Sequence, residues 1–207
     1  MSYLPGPLRP YPEWQPTCDT LHAHTQLLGK LAVKLAPPEP QLQHTALRLT
    51  ARGWETAPLP APDGSGALVA ALDLHRHEAV IEHSAGRAER IALTPHRPVG
   101  EVTRQVLAAV SALGGPVTID PTPQEVSWTV PLDQDEEHTH YDPDEVARYF
   151  AAARNTITAG TAPDGTAKPR VNSEDPASTK ADTRPRAANG HSSKANPTYA
   201  TTSQVAS

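Results

Sequence analysis

Three polar residues follow one another at four-residue steps in the segment Cys18–Leu35, CDTLHAHTQLLGKLAVKL. His22, Gln26 and Lys30 stack an imidazole, an amide and an ammonium along one line if this segment is helical. A histidine can act as a general acid or base near neutral pH, and an ammonium attracts anions. The spacing therefore predicts a polar strip suited to binding or transforming a small molecule.

A second set of polar residues belongs to segments with the alternation of strands. His44 and Arg48 share one face of a predicted strand, and Asp73 lies inside another. If the first helix packs across the sheet, these side chains and the helical strip converge on a pocket for a polar or anionic small molecule. The alternative is that Lys30 and Arg48 extend to solvent while His22 covers an edge of the core.

The ten histidines raise the question of a metal site. Histidines separated by one residue diverge on a helix, whereas on extended chain both rings can point the same way. Two such pairs, with Asp73 or Asp142 as an oxygen ligand, could form a mononuclear site; the alternative is surface histidines beside a turn and an acidic loop. We predict no metal site, and the sequence identifies no cofactor. The pairs are His22 and His24, His75 and His77, and His138 and His140.

Four carboxylates lie close together before the last predicted helix. A pair tuned for acid and base catalysis needs one buried member, and a run of this kind is usually solvated. We therefore expect an acidic surface there. The single cysteine leaves no disulfide framework or thiolate zinc site, and no nucleophile elbow or phosphate-binding glycine loop is present. The four acids are Asp133, Asp135, Glu136 and Glu137.

Apolar residues at helical spacing predict three helices. The first begins at Asp19 or Thr20, after a Pro-rich arm over residues 1–17, and ends before Pro37. The second carries a stripe of valines and ends at a Gly-Gly pair. The third follows a capping-box signature. The boundary residues are Pro98, Gly114 and Gly115 for the second helix and Asp142, Pro143 and Glu145 for the third.

Alternating apolar residues predict four strands joined by short connections, which indicates an antiparallel meander. Two further short strands, PVTID and SWTVPL, are predicted between the second and third helices. The fold class is thus predicted to be α+β, with an antiparallel sheet of four to six strands and about three packed helices. The four strands are residues 44–51, 67–74, 79–84 and 87–93.

Residues able to build a core are confined to the first 158 positions, which hold 34 of the 36 Leu, Ile, Val and Phe residues. The remainder is rich in Ala, Thr, Ser, Pro and Asn and has no apolar period. Such a segment cannot bury enough surface to offset the entropy lost on ordering. We predict one domain over residues 1–158 and a disordered C-terminal tail over residues 159–207.

The charge distribution argues against a nucleic-acid partner. The formal net charge of the chain is -5, and 12 basic against 19 acidic residues precede residue 160. This part therefore lacks the basic footprint that a nucleic acid requires. The amino terminus has neither the basic start nor the apolar run of a secretory signal, and no uninterrupted apolar stretch is long enough to span a bilayer. We expect a cytoplasmic protein that does not enter a membrane.

A pattern of single residues runs from Trp14 to Ala152. It opens with a tryptophan followed by TLH, TQ and GK and closes with a histidine followed by YDP. In this order the residues resemble a family of uncharacterised bacterial proteins, a domain of unknown function. The resemblance implies no activity. The polar positions that match are His22, Gln26, Lys30, His44, Asp73, Glu125, His138 and Tyr141.

The chain departs from that family at Leu42 and Gln43, where the resemblance implies a pair of aromatic residues before His44. If those aromatic residues line a pocket in the relatives, binding in this chain is altered or lost. The histidines at positions 24, 75, 77 and 140 are outside the matching pattern, which weakens the metal hypothesis built on them.

Two function hypotheses follow. The first is a small-molecule binding or enzymatic domain with a polar cleft, in which a histidine does acid and base work. The second is a non-catalytic module that docks a protein partner through its acidic face, with the tail as a tether. The first requires convergence of the side chains; the second leaves them scattered and exposes an apolar patch. The candidate catalytic residues are His22, His44 and His138, and the candidate ligand-binding residues are Gln26, Lys30, Arg48, Asp73 and Tyr141.

Overall fold

Three helices pack on an antiparallel sheet. The computed structural model describes residues 6–160, and the side chains of residues 6–155. The predicted α+β class, with its antiparallel sheet and three main helices, is confirmed. Residues 159 and 160, which were assigned to the tail, end the last helix; the rest of the predicted disordered tail lies outside the described residues. The helices are α1 (Tyr11–Leu35), α2 (Val99–Gly114) and α3 (Pro143–Gly160).

The sheet has six strands in the order β1-β2-β4-β5-β6, and β3 pairs with the other end of β4. Every pairing is antiparallel. The turn between the last two strands contains Gly86 at a φ of 79°, a conformation that glycine adopts without steric strain. The predicted meander is therefore confirmed for its last three strands. The strands are β1 (Arg48–Leu49), β2 (Gly53–Glu55), β3 (Leu59–Pro60), β4 (Ala67–Asp73), β5 (Glu78–His83) and β6 (Arg87–Ala92).

The hydrophobic core lies between the helices and the sheet. Leu21, Leu28 and Leu31 of α1 are buried, as the helical stripe predicts. The valine stripe of α2 is buried as well. Because the inner side of α1 is committed to this core, the side that carries His22, Gln26 and Lys30 faces the loops. Other large buried side chains are Leu59, Leu68, Leu72, Ile81, Leu132, Val146 and Phe150.

Helix α1 begins at Tyr11, eight residues before the predicted start at Asp19 or Thr20. Proline is tolerated in the first helical turn, where its missing N–H would have no partner within the helix. Pro16 lies deeper in α1, and its carbonyl accepts a hydrogen bond from the Thr20 hydroxyl at 3.0 Å. The predicted arm over residues 1–17 was therefore wrong for residues 11–17. The sequence reasoning took each proline as a mark of extended chain.

The predicted strand over residues 44–51 is reduced to the two residues of β1. The segment Pro40–Thr45 forms a 3-10 turn instead, and Gln41 and Leu42 within it have positive φ angles of 56° and 58°. The chain then reverses direction between β1 and β2, which pair antiparallel. β2 starts at Gly53, which has a φ of 150°. A Cβ at Gly53 would lie 2.0 Å from the carbonyl oxygen of Leu72, so only glycine fits there.

Neither PVTID nor SWTVPL forms a strand in the described structure. The chain from Gly115 to Pro131 is irregular, but its apolar side chains still pack on the core. Ile119 is buried, while Val117 and Trp128 are partly buried against the core. The two predicted strands were therefore wrong. No helix in the described part of the chain is both long and apolar enough to cross a membrane.

The start of α3 was predicted correctly. Asp142 Oδ1 accepts hydrogen bonds from the N–H groups of Asp144, at 2.9 Å, and Glu145, at 3.4 Å. The capping box is incomplete, because the buried Glu145 carboxylate pairs with Arg9 and Arg148 instead of turning back to the cap.

Candidate functional site

The exposed line of α1 forms one side of a groove, and two loops form the other. The groove has a volume of about 230 Å³. The four-residue spacing on α1 aligns an imidazole, an amide and an ammonium along the groove, as expected for a helical strip. We call this cavity the Lys30 groove. Its lining residues are His22, Gln26, Gly29, Lys30 and Val33 of α1, Leu42 and Thr45 of the 3-10 turn, and Gln124 and Glu125 of the following loop.

Lys30 is the most unusual residue of the groove. Its side chain is buried, with 8% of the residue exposed, and within residues 6–155 it makes no hydrogen bond or ion pair. Its charge still acts on Asp120: the N–H and hydroxyl of Thr122 and, in smaller part, the Lys30 ammonium hold the pKa of that carboxyl below its usual value. Its ammonium is not among the buried unpaired atoms, so the stem is buried while the charged end keeps contact with the open groove.

Gln26 attaches the outer loop to α1. Its amide nitrogen donates to the carbonyl of Gln124 at 3.1 Å, and its amide oxygen accepts from the Gln124 N–H at 2.9 Å. The two bonds satisfy both backbone groups of Gln124 with one side chain. They fix the distance between α1 and the loop that carries Glu125. Gln26 is thus a structural member of the groove wall.

Two apolar side chains at the groove face solvent. Val33 and Leu42 have relative exposures of 55% and 63%. Leu42, the preceding Gln41 and Glu125 across the groove all have positive φ angles of 56–60°. Non-glycine residues adopt such angles at a cost in free energy, and they cluster at functional sites. Strained backbone and exposed apolar surface therefore coincide at this groove.

Trp128 lies between two of the candidate histidines. Its ring centroid is 5.6 Å from that of His22 and 4.3 Å from that of His138. His138 lines a second groove of about 270 Å³, together with Asp19 and Glu137. The Trp128 indole therefore contacts both histidines, although His22 and His138 line different grooves.

Asp135 was predicted to belong to a solvated acidic run, and that prediction was wrong. The residue is 2% exposed. Its Oδ1 accepts from the N–H groups of Glu137 and His138, and its Oδ2 lies 2.7 Å from Nδ1 of His138. Its backbone carbonyl accepts from the N–H of Gly100 at the start of α2. The carboxylate is internal because it organises a loop that caps this helix.

His24 is a buried imidazole that the sequence analysis considered only as one member of a histidine pair for a metal. It is 2% exposed, and its Nδ1 has no hydrogen-bond partner in the described part of the chain. Burial lowers the pKa of His24 from 6.5 to about 4; the charge of Asp135 opposes this shift, and that of Arg97 adds to it. His24 is therefore neutral at physiological pH. His24 lies between Leu21 and Leu28 on the apolar side of α1, and this position was the signal in the sequence that its side chain is buried.

His44 and Arg48 do not line the Lys30 groove. His44 is half-buried, and its Nδ1 accepts a hydrogen bond from the N–H of Glu39 at 3.1 Å. This bond supports the turn that carries Leu42 and Thr45, so His44 acts on the groove through its neighbours. Arg48 is exposed on the edge strand β1.

Asp73 and Tyr141 belong to a separate cluster. Asp73 Oδ1 accepts from the N–H groups of His75 and Arg76, which closes the turn after β4. The Tyr141 hydroxyl lies 3.0 Å from Nδ1 of His77. Burial, with the nearby charge of Asp73, raises the pKa of Tyr141. The expected convergence of sheet and helix residues on one cleft is therefore not found for Asp73 or Tyr141.

The remaining histidines of the described part of the chain show no grouping typical of a metal centre. Over the described residues no set of three or more His, Cys, Asp or Glu side chains is placed to hold an ion. His75 Nε2 lies 3.2 Å from the carbonyl of Ala51. His96 and His140 line a third groove of about 250 Å³ beside Tyr141.

Comparison with known proteins shows the family of this chain. Residues 7–158 match the model of the family of unknown function DUF5996. The chain belongs to this family. The DUF5996 match includes every residue of the Lys30 groove and ends before the predicted tail. No curated protein and no solved structure matches the chain.

Sequence reasoning identified part of the groove of this DUF5996 member. His22, Gln26 and Lys30 were predicted together and lie together. Val33, Thr45 and Gln124 were not among the candidates. A signal existed for two further lining residues: Glu125 belongs to the matching polar pattern, and Leu42 is a position where the chain departs from it. Contacts across about 98 positions of sequence, such as Gln26 with Gln124, leave no local periodicity to detect.

Proposed function

We propose that this domain binds a small anionic molecule in the Lys30 groove, with the Lys30 ammonium as the counter-charge. One observation carries the proposal: the ammonium of an otherwise buried lysine lines a cavity without a direct protein counter-charge. A ligand that covers the groove displaces water from this ammonium, and a charge that loses its hydration needs a partner, so an anionic group of the ligand is the natural one. Carboxylate and phosphate oxygens both have the required chemistry.

The size of the groove limits the ligand. Pockets for drug-sized molecules usually enclose about 300–1,000 Å³. The Lys30 groove, at about 230 Å³, supports a ligand of metabolite size. Its mixed lining, with the Thr45 hydroxyl and His22 beside Val33 and Leu42, supports a ligand that has both polar and apolar parts.

Among the three candidate catalytic histidines, His22 has the position best suited to touch this ligand, because it lines the same groove as Lys30. His44 supports a turn through its Nδ1, and His138 lies in the second groove. We assign His22 a binding role. A reaction at this site would use its imidazole as the acid or base.

The alternative function, a protein-interaction module with an acidic face, has less support. Two of the four acids in the predicted acidic run, Glu136 and Glu137, are exposed. Asp135, in contrast, is internal, and Asp133 Oδ1 is buried, which reduces the acidic surface. The exposed apolar side chains Val33 and Leu42 line the groove, which a small ligand would cover in part.

A thermal-shift titration tests the proposal. The full chain is titrated with inorganic phosphate, acetate and 4-methylpentanoate, beside the variants Lys30→Met and Lys34→Met. A ligand at one hundred times its dissociation constant raises the free energy of unfolding by about 2.7 kcal/mol. We expect at least one of these anions to stabilise the native chain and Lys34→Met, in which an exposed lysine of the same helix is replaced. Equal stabilisation of Lys30→Met, or no stabilisation by any of the three, overturns the proposal.

A further inference from the structure

The Lys30 groove presents two opposite charges that do not pair with each other. Lys30 and Glu125 both line it. Across residues 6–155 neither side chain forms an ion pair or a hydrogen bond. An ammonium and a carboxylate in one small cavity would approach each other if the chain allowed it. Their separation therefore requires a structural cause.

The backbone supplies that cause. Gln26 holds the N–H and the carbonyl of Gln124 with bonds of 2.9 and 3.1 Å, so the residue before Glu125 is attached to α1. Glu125 itself has a φ of 60°, a left-handed conformation that is unfavourable for glutamate. The clamp and the left-handed turn fix the direction in which the Glu125 side chain leaves the loop. Lys30 is anchored one helical turn beyond Gln26.

An apolar surface completes the groove. Val33 lies one turn beyond Gly29 on α1, and Leu42 projects from the 3-10 turn. Both side chains are more than half exposed. A cavity with a cation, an anion and an aliphatic surface matches a ligand that carries an anionic group, a cationic group and an aliphatic group.

We propose that the ligand of the Lys30 groove is an α-amino acid with an aliphatic side chain. Its carboxylate pairs with the Lys30 ammonium, its ammonium pairs with the Glu125 carboxylate, and its side chain covers Val33 and Leu42. This assignment rests on the proposed anion-binding function and adds the requirement for a positive group on the ligand. Leucine and 4-methylpentanoate are suitable probes, because they differ only in the α-ammonium.

The two charged contacts contribute unequally. Lys30 is buried, so its pairing with a carboxylate is weakly screened, and its loss weakens binding about tenfold or more. Glu125 is exposed, and an exposed ion pair changes affinity by about threefold. Leucine should thus bind about threefold more tightly than 4-methylpentanoate to the native chain.

The test is isothermal titration of leucine and 4-methylpentanoate into the full chain and three variants. Glu125→Gln should remove the preference for leucine and leave the affinity for 4-methylpentanoate unchanged. Lys30→Met should weaken binding of both about tenfold or more. Glu137→Gln, which changes an exposed glutamate of the second groove, is the matched control and should keep the preference.

The outcomes separate the two proposals. Equal or weaker binding of leucine to the native chain, or a preference that survives in Glu125→Gln, overturns the amino-acid assignment and leaves the anion site intact. Failure of both probes to bind, together with no stabilisation by phosphate or acetate, overturns both proposals. Both proposals are supported if Lys30→Met weakens binding of both probes and if Glu125→Gln, but not Glu137→Gln, removes the preference for leucine.

Discussion

Lys30 places an ammonium in a groove where no carboxylate of the described residues pairs with it directly. We predict that Lys30→Met increases the free energy of unfolding of the ligand-free protein by about 0.5–2 kcal/mol, because an apolar side chain of similar length keeps the packing of the buried stem and removes an ammonium that is only partly hydrated. Urea unfolding of the full chain measures the change. A gain in stability with loss of binding is the signature of a residue retained for function.

Lys34→Met is the control for this substitution. Lys34 is exposed in the last turn of α1, where a positive charge interacts favourably with the helix dipole. Its replacement should lower stability slightly or leave it unchanged. If Lys30→Met is destabilising by more than Lys34→Met, the Lys30 ammonium contributes to folding and the functional interpretation loses its basis.

His24 should make stability depend on pH. Because its pKa falls from 6.5 in the unfolded chain to about 4 in the folded one, the unfolded state binds more protons between these values. The free energy of unfolding therefore rises with pH from 4 to 6.5 and is level above. The shift corresponds to about 3 kcal/mol. Urea unfolding at pH 4.5, 5.5, 6.5 and 7.5 measures the slope.

The variant His24→Leu should flatten this dependence, because leucine fills a similar volume without titrating. A smaller slope will remain, since burial also lowers the pKa of His77. His22→Gln, at an exposed position two residues away, should keep the full slope. An unchanged slope in His24→Leu would show that the acid sensitivity arises elsewhere.

At the level of single residues, the sequence predicted side chains that follow one another at helical spacing and failed for Asp135, whose place is set by the loop around it. The strip of His22, Gln26 and Lys30 follows from helix geometry alone. Asp135 was assigned to the surface because acidic runs are usually solvated. Its contact with Nδ1 of His138 cannot be inferred from composition. Asp73 was expected to line the pocket, and its Oδ1 instead accepts from the two backbone N–H groups of His75 and Arg76.

The loop that carries Glu125 depends on one helical side chain. Gln26→Ala removes both hydrogen bonds to Gln124, and we expect a loss of about 1–2 kcal/mol in stability. Binding in the Lys30 groove should weaken further, because the loop is no longer fixed relative to α1. Urea unfolding and titration with 4-methylpentanoate measure the two effects.

Gln15→Ala is the matched control for the clamp. Gln15 is an exposed glutamine of the same helix, and its amide makes one long bond of 3.4 Å to Asp19. Its removal should change neither stability nor binding appreciably. An equal effect of the two substitutions would mean that the helix, and not the loop attachment, determines the result.

The elements were predictable where local rules decide the backbone. Strands β4 to β6 follow from alternation and short turns, and α2 follows from its valine stripe. The start of α1 was placed too late because Pro12 and Pro16 are compatible with a helix only in a suitable context. The strand predicted around His44 was lost to a turn whose left-handed residues, Gln41 and Leu42, carry no glycine signal.

For the whole molecule, we predict that removal of residues 161–207 changes neither the stability nor the ligand binding of the rest. The family match ends at residue 158, and the buried hydrophobic residues of the described part lie between Trp14 and Phe150. Thermal unfolding and 4-methylpentanoate titration of residues 1–160, compared with the full chain, measure this. A lower unfolding temperature for the shorter chain would show that the removed residues contribute contacts.

The contact between Trp128 and His22 also gives the groove an optical readout. Indole emission responds to an adjacent imidazole and is quenched when that imidazole is protonated. Trp14 and Trp54 both contact Tyr149 of α3, so their emission serves as a background. Trp128 is the tryptophan that contacts His22, so a molecule that enters beside His22 should change its surroundings. Occupancy of the groove can therefore be followed by intrinsic fluorescence, without a label or an assumed reaction.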